Sequence, residues 1–373
     1  MAGLQIAGHW TFLFIIVGVL AFLTMLCFLT RRPFMRSLKS KHFFITGGSS
    51  GIGLAIAQKA LSEGAYVTLV SRSAVNLASA VEVLLSKVPS ATPECIRCEV
   101  ADVADYDKLL GAIKRAFSWH PIDVLVCNAG LTRGGYLGDG ELQDLEITIQ
   151  TNFMGTVNAL HGALPLLKDH SRTKPVSIVI TASLASLFFM YGHAVYTATK
   201  YAIRGLAEGV RFELLPYHIK VSLICPGFTS TPFLDEADKE EEICELLRWV
   251  NLYSRQWAES AEGVASYTLA AVKSGTFLVT TNFLGLVLAT VGRGFVPSDS
   301  WFQVLLELLL FIPCRLASLV LVPIFHMVVR RKSRPSFNDN MESRNSLKNP
   351  SSELSAFTTT MRTEINQHTN ICE

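Results

Sequence analysis

The sequence predicts an α/β fold with a doubly wound parallel sheet, joined to membrane-directed segments near both ends of the chain. Between residues 41 and 271, short apolar runs rich in β-branched residues alternate with segments of helix length. This pattern is typical of a parallel sheet that is covered on both faces. A glycine-rich turn follows the first apolar run, as it does in sheets that bind nucleotides. Outside this region, two long stretches hold most of the remaining apolar residues.

Composition excludes several classes of protein. The chain has 373 residues, of which 50% are hydrophobic and 17% charged, so it is neither disordered throughout nor collagen-like. Its net charge of +2 gives no overall field for nucleic acid, and we predict no such partner. Cys95 and Cys98 form a lone C-x-x-C pair without further ligands at zinc spacing. We therefore predict no metal site, and reduced cysteines.

The N-terminal apolar stretch predicts a membrane anchor. Residues 10–29 contain no charged side chain and are long enough, as a helix, to cross a bilayer. Basic residues follow this stretch but do not precede it, which places residues 1–9 in the lumen and the basic linker 30–40 in the cytosol. A cleaved signal peptide is the alternative, but it requires basic residues before a shorter apolar core.

The second apolar stretch is less regular, and we assign residues 272–334 to a membrane-associated segment. Residues 276–291 are marginal for a span, and residues 304–329 are interrupted by charges and prolines: Glu307, Pro313, Arg315 and Pro323. These interruptions favour a hairpin or interfacial helices over a single span. A buried helical subdomain is the alternative. Residues 335–373 are rich in Ser, Asn and Thr and are predicted to be disordered.

Residues 41–271 form the predicted catalytic domain. Its strand candidates are, in order, HFFIT, AYVTLVS, CIRCEV, VLVCNA, SIVITAS and KVSLIC. Parallel sheets bind ligands beyond the carboxyl ends of their strands. The residues that follow each run are therefore the first candidates for a site.

The turn after the first strand predicts a phosphate-binding site. It consists of Thr46, Gly47, Ser49, Ser50, Gly51, Ile52 and Gly53, with one further glycine, and a helical segment follows it. Glycines let the backbone approach a pyrophosphate, and the amides at a helix N-terminus bind its charge. A simple tight turn is the alternative.

Arg72 follows the second strand, where an acidic residue would bind the ribose hydroxyls of NAD. An Arg at this position accommodates the 2′-phosphate of NADP instead, so we predict NADPH or NADP as the cofactor. A solvated surface charge is the alternative interpretation.

Tyr196 and Lys200 lie four residues apart and face the same side of a predicted helix. A neighbouring ammonium favours the phenolate, so we expect the pKa of Tyr196 to fall below its usual value of about 10. Such a Tyr exchanges a proton with a carbonyl or alcohol oxygen. Ser183 closes the preceding strand and is placed to donate to the same oxygen.

In this combination and order, these motifs resemble the short-chain dehydrogenase/reductase family over residues 41–271, which implies a Rossmann-type fold. The resemblance implies that Tyr196 protonates the substrate oxygen, Ser183 polarises it, Lys200 holds the nicotinamide ribose and Asn152 holds a water of the proton relay. It assigns further cofactor contacts to Asp102 and Val103 at the adenine, Asn128 beside the sheet, and Pro226, Gly227 and Thr231 at the nicotinamide.

Within the family, residues 197–233 are similar to the members that reduce 3-ketosphinganine to sphinganine at the cytosolic face of the endoplasmic reticulum. The resemblance implies a long-chain, lipid-like ketone substrate and contact with the bilayer. A membrane-anchored steroid or retinoid dehydrogenase would share the same motifs, and a non-catalytic NADP-binding sensor or scaffold is an alternative of another class. The sequence leaves the oligomeric state open, a homo-oligomer included.

Overall fold

The computed structural model describes residues 33–133, 137–138, 141–233, 258–292 and 301–332, together with residues 18, 19 and 22. Seven strands form a sheet in the order β3-β2-β1-β4-β5-β6-β9, and every pairing in it is parallel. The strands of this sheet are β1 (His42–Thr46), β2 (Tyr66–Ser71), β3 (Ile96–Val100), β4 (Val124–Cys127), β5 (Val176–Thr181), β6 (Ile219–Cys225) and β9 (Leu278–Thr280). The predicted α/β sheet of Rossmann type is thus confirmed.

Helices connect the strands and cover both faces of the sheet. They are α1 (Gly51–Ser62), α2 (Ala74–Lys87), α3 (Tyr106–Trp119), α4 (Leu142–Ile149), α5 (Gly155–His170), α6 (Ala194–Glu213), α7 (Ala261–Ser274), α8 (Phe283–Val291) and α9 (Trp301–Lys332). A short pair of strands, β7 (Thr229–Ser230) and β8 (Glu259–Ser260), lies outside the main sheet. A π-helical turn, Gln150–Met154, joins α4 to α5.

Two apolar clusters form the core, one on each face of the sheet. One packs α3, α5 and α6 against the strands, and the other packs α1, α2 and α7. Strands β1 and β4 are buried along their whole length, which explains why their sequences do not alternate between apolar and polar residues. Burial on both faces fixes the strand ends, and the side chains that follow them, in a rigid frame.

The seventh strand corrects the prediction for the region after residue 271. Helix α7 continues to Ser274, and Leu278–Thr280 pairs with β6 in the sheet. Residues 278–280 therefore belong to the folded sheet and not to a membrane-associated segment that begins at residue 272. A three-residue strand inside a longer apolar run has no periodicity that sequence inspection can recognise.

Helix α9 is continuous through the prolines and charges that the sequence analysis treated as interruptions, while the hairpin and the interfacial helices stay predictions. It runs from Trp301 to Lys332 through Pro313 and Pro323. Each proline removes one backbone donor, and a helix of 32 residues keeps most of its other hydrogen bonds. Within it, residues 304–321 have a mean hydropathy of 2.2 and none of this window is buried. By length and composition, this window is able to cross a membrane.

The chain divides into two compact units, Met1–Cys314 and Arg315–Glu373. In the second unit, the described residues are 315–332, which continue helix α9. Apart from residues 18, 19 and 22, the predicted anchor at residues 10–29 lies outside the described residues, and so does the tail at residues 335–373.

Candidate active site

The glycine-rich turn lies between β1 and α1 and requires glycine at specific positions. Gly47 and Gly51 have φ values of 65° and 52°, which are unfavourable for residues that carry a Cβ. A Cβ on Gly53 would collide with the carbonyl oxygen of Gly47. The sequence therefore allows the turn to fold tightly over the N-terminus of α1.

Thr46 and Asn128 fix this turn to the neighbouring strand β4. The Thr46 hydroxyl donates to the carbonyl of Val126 (3.2 Å) and accepts from the amides of Asn128 (3.0 Å) and Ala129 (3.2 Å). The Asn128 side-chain amide donates to the carbonyls of Thr46 and Gly47, at 3.3 Å each. These contacts agree with the sheet-stabilising position that the resemblance implies for Asn128.

Three further residues of the turn lie at the start of α1. Ser49 Oγ donates to Ser71 Oγ at the end of β2 (3.1 Å). Ser50 precedes the helix and its side chain makes no capping hydrogen bond, while the half-buried Ile52 packs against the core. The first amides of a helix lack partners within the helix, so this end of α1 is able to bind an anion.

Arg72 and Asp102 meet at the ends of β2 and β3. Arg72 Nη1 lies 3.9 Å from Asp102 Oδ2, and the Arg72 side chain is 60% exposed. An exposed pair at this distance binds weakly, so the guanidinium is available to a ligand phosphate. Val103 is buried and its carbonyl accepts from Asn158 Nδ2 in α5 (2.9 Å). This hydrogen bond fixes the backbone directly after Asp102.

Ser183 and Tyr196 come together beyond the end of β5. The Ser183 side chain accepts from the amide of Ala185 (3.1 Å) in a short 3-10 turn. It also lies close enough to the side chain of the buried Tyr196 in α6 to lower the pKa of that phenol. The two hydroxyl groups are thus adjacent, as the sequence predicts.

Lys200 lies one helical turn after Tyr196 and is buried beneath it. Its Nζ lies 5.6 Å from the centre of the Tyr196 ring and donates to the carbonyl of Thr181 (3.3 Å). Burial lowers the pKa of Lys200 to about 8, although the nearby Cys225 opposes this shift. The ammonium is therefore held close to Tyr196 in a poorly solvated position.

The pKa of Tyr196 shifts in the direction opposite to the prediction. Burial raises it to about 12, and the nearby Ser183 hydroxyl opposes this shift only in part. Removing a phenol from water disfavours its charged form, and burial is the largest cause of the shift. Tyr196 is thus a protonated phenol at neutral pH.

Asn152 lies in the π-helical turn and is fully buried. Its Oδ1 accepts from the amide of Leu131 (2.8 Å), and its Nδ2 donates to the Leu131 carbonyl (2.8 Å) and to Thr199 Oγ1 (3.2 Å). A Cβ on Gly130 would lie 3.3 Å from Asn152 Oδ1 and 3.7 Å from Lys200 Nζ. Asn152 Oδ1 and Lys200 Nζ therefore both lie beside Gly130, in the loop after β4.

The loop after β6 closes the other side of the site. The Gly227 amide donates to Thr281 Oγ1 (3.4 Å), and the Pro226 carbonyl accepts from the amide of Leu184 (2.9 Å). A Cβ on Gly51 would lie 3.2 Å from Cγ2 of Thr231, so this loop reaches the glycine-rich turn. The predicted cofactor residues therefore line a continuous strip along the carboxyl edge of the sheet.

Sequence reasoning missed three supporting residues: Thr199, Thr281 and Asn282. Thr199 accepts from Asn152 and donates to the Tyr196 carbonyl (2.7 Å). Thr281 binds Gly227, and Asn282 caps α8 by accepting from the amide of Gly285 (2.7 Å). An N-cap residue before an apolar segment is a signal that could have predicted the start of α8.

Comparison with known proteins agrees with this geometry. The sequence pattern of the short chain dehydrogenase family matches residues 41–242. A 3-dehydrosphinganine reductase of Arabidopsis thaliana is 35% identical over 311 residues, which cover 83% of this chain and 90% of that protein. A 3-ketodihydrosphingosine reductase of Mus musculus is 29% identical and covers 86% of this chain and 97% of that protein.

Solved structures agree with the fold. A short-chain dehydrogenase/reductase from Burkholderia phymatum in complex with NAD has a TM-score of 0.60 at 24% identity, and covers 69% of this chain and 94% of that one. The F189W actinorhodin polyketide ketoreductase with NADPH has a TM-score of 0.57 at 22% identity, and covers 66% of this chain and 97% of that one.

Proposed function

Because the chain belongs to the short-chain dehydrogenase/reductase family, we propose that it reduces 3-ketosphinganine to sphinganine with NADPH. The chain is an oxidoreductase that uses a nicotinamide cofactor and acts on a ketone, as its family and its relatives do. The observation that carries the proposal is the buried Tyr196, which lies beside Ser183 and has the Lys200 Nζ 5.6 Å from the centre of its ring. The names of the relatives supply the substrate.

The residues at the strand ends fit a dinucleotide phosphate. Glycines with positive φ allow the turn after β1 to approach a pyrophosphate closely, and the N-terminus of α1 attracts its charge. Arg72 is exposed where a 2′-phosphate would lie, which supports NADPH over NADH. When bound, the cofactor supplies the hydride that reduces the ketone.

The protein's own part in the reaction is to position the ketone oxygen and to protonate it. In this proposal Ser183 and Tyr196 both donate to the oxygen, and Tyr196 gives up its proton as negative charge develops there. An alkoxide is about as basic as hydroxide, whose conjugate acid, water, is a much weaker acid than a phenol. A phenol with a pKa of about 12 therefore transfers its proton to it downhill.

Lys200 has two roles in the proposal. Its ammonium holds the nicotinamide ribose and stabilises the phenolate that remains after proton transfer, since an opposite charge nearby favours the ionised form. Asn152 belongs to the path that returns the proton. Its side chain is engaged with Leu131 and Thr199, so its contribution to this path includes holding the loop after β4 in place.

The same proposal places the enzyme in the endoplasmic reticulum membrane with its catalytic domain in the cytosol. The uncharged residues 10–29 and the basic residues that follow them support an anchor of this orientation. The exposed apolar window at residues 304–321 of α9 supports a second membrane segment. The domain that carries the chemistry includes the buried Met35 and Leu38, which the sequence assigned to a linker, and extends beyond residue 271 to include β9 and α8.

The experiment that tests the proposal offers three substrates to the purified full-length protein with NADPH: 3-ketosphinganine, a steroid ketone and a retinal. We expect formation of sphinganine with the highest kcat/KM of the three. Reduction of another carbonyl without sphinganine formation would refute the substrate. Binding of NADPH without turnover of any of them would favour the non-catalytic sensor.

A further inference from the structure

Large apolar side chains are exposed at the edge of the sheet that carries the site. Phe188 and Phe189 follow β5 by a short loop, and Phe283 and Leu284 begin α8 directly after β9. All strands of the sheet are parallel, so both segments emerge at the same edge as Ser183. We call these four residues the apolar rim.

The two parts of the rim are joined at their base. A Cβ on Gly285 would lie 2.8 Å from Cδ2 of Leu184, and a Cβ on Gly227 would lie 3.6 Å from Cδ1 of the same residue. The loop that precedes Phe188 is therefore packed against the start of α8 and against the loop after β6. The Gly227 amide also donates to Thr281, so the rim is attached directly to the candidate site.

The rim brings several large, exposed apolar side chains to the edge of the sheet that carries the site. Phe283 is 77% and Leu284 59% exposed, and α8 (FLGLVLATV) contains no charged residue. Single exposed apolar side chains are common on protein surfaces, but several of them grouped beside a site indicate a partner that removes them from water.

We propose that the apolar rim docks on the surface of a lipid bilayer and inserts its side chains among the acyl chains, so that a long-chain ketone passes directly from the membrane to Ser183 and Tyr196. The substrate in this statement rests on the proposed function, whereas lipid contact by the rim does not. A single-chain lipid leaves the bilayer at a cost of roughly 0.8 kcal/mol for each buried methylene. A site that opens at the membrane surface avoids most of this transfer.

Chain connectivity favours lipid as the occupant. Helix α9 begins nine residues after Gly292, and its window at residues 304–321 is apolar and exposed. Nine residues span at most about 32 Å when fully extended. The rim is thus tethered close to a helix with the length and composition of a membrane span.

Tryptophan quenching tests lipid contact without turnover. Phe283→Trp in the full-length protein is reconstituted with phosphatidylcholine vesicles that are either plain or brominated on the acyl chains. Phe212→Trp is the matched control, because Phe212 is 58% exposed at the C-terminal end of α6, toward the opposite edge of the sheet. We expect bromolipid to quench the added emission of the Phe283→Trp protein but not that of the control.

Equal quenching of the two variants, or none in the Phe283→Trp protein, would overturn the proposal. Emission from Phe283→Trp that shifts with protein concentration and not with lipid would identify a second copy of the chain as the occupant, and would overturn it as well.

A kinetic experiment tests delivery of the substrate. Phe283→Ser/Leu284→Ser is compared with Phe212→Ser/Leu215→Ser, which removes the same two residue types at similar exposure (58% and 66%). Each protein reduces a long-chain ketone in vesicles and a water-soluble short-chain ketone. We divide kcat/KM for the long-chain ketone by kcat/KM for the short-chain ketone. This ratio should fall about tenfold in the rim variant, because apolar side chains no longer hold the site at the bilayer surface. It should stay unchanged in the control.

An unchanged ratio in the rim variant would overturn the proposal. The two proposals fail separately. If the wild-type protein does not reduce 3-ketosphinganine but Phe283→Trp is quenched, the proposed function fails and lipid docking stands. If sphinganine forms but no quenching occurs, the docking surface fails and the proposed function stands.

Discussion

Replacing Lys200 by methionine should stabilise the fold at neutral pH while it abolishes ketone reduction. Lys200 is buried, with one hydrogen bond to the Thr181 carbonyl, and its pKa falls from 10.5 to about 8. A shift of this size opposes folding by about 3 kcal/mol at pH values below 8, at 1.36 kcal/mol per pKa unit. Methionine has a similar length and no charge, and it loses the hydrogen bond, which is worth about 1 kcal/mol. The expected net gain at pH 7 is about 2 kcal/mol.

The pH dependence of this gain is the stronger test. The folded state has the lower pKa, so between pH 8 and 10.5 the unfolded chain binds more protons than the folded one. The stability contributed by Lys200 therefore rises with pH across this window. The advantage of Lys200→Met should disappear by about pH 10, because the wild-type lysine is then neutral in the folded state.

Urea unfolding of the full-length proteins in a non-ionic detergent, without NADPH, measures the difference at pH 7 and pH 10. Trp119 supplies the signal, because it packs in the folded domain against His42, with ring centres 5.2 Å apart. Lys114→Met is the matched control, since Lys114 is exposed on α3 and its removal should change stability little at either pH. A Lys200→Met protein that is less stable than wild type at pH 7, or whose difference from wild type is the same at both pH values, would refute the reasoning.

Three further predictions follow from the same geometry. Tyr196→Phe should lower turnover by at least about a thousandfold, while NADPH affinity, measured by fluorescence titration, stays within about twofold. Retained turnover would mean that Tyr196 is not the proton donor. Arg72→Ala should weaken NADPH binding by roughly tenfold and leave NADH binding almost unchanged, and equal losses for both would mean that Arg72 does not contact the phosphate. Burial lowers the pKa of His42 to about 4. Between pH 6.5 and 4 the folded state therefore binds fewer protons than the unfolded chain. The free energy of unfolding of the wild-type protein should fall by about 3 kcal/mol as pH drops through this window. Urea unfolding of His42→Gln should show a clearly smaller fall, and an equal fall would assign the acid sensitivity to other groups.

Much of the sheet and of the site follows from local sequence patterns. The first six strands are apolar runs bounded by turns, and glycine at positions 47 and 51 follows from backbone sterics. Residues four apart on a helix face the same side, which places Lys200 beneath Tyr196. These features depend on few neighbours, so they can be predicted from the sequence alone.

The features that sequence reasoning missed depend on contacts between distant segments. Leu278–Thr280 is a strand only because β6 lies beside it, and its apolar surroundings resemble a membrane segment equally well. Thr199 matters because Asn152, 47 residues earlier, donates to it. The pKa of Tyr196 is set by burial, which is a property of the folded domain.

The shifted pKa of Tyr196 determines how the reaction should depend on pH. Reduction of a ketone by NADPH consumes one proton, so the ratio of kcat/KM for reduction to kcat/KM for oxidation must fall tenfold for each pH unit, whatever the enzyme. With a pKa of about 12, Tyr196 stays protonated between pH 6 and 8. Reduction therefore has its proton donor throughout, and its kcat/KM should change by no more than about twofold, as Lys200 begins to lose its proton near pH 8. The pH dependence then appears in oxidation, because this direction needs the phenolate, which is rarely populated. Its kcat/KM should rise about tenfold per pH unit. Measuring both directions from pH 6 to 8 checks this, and a flat oxidation rate with declining reduction would mean that the proton donor titrates below pH 6.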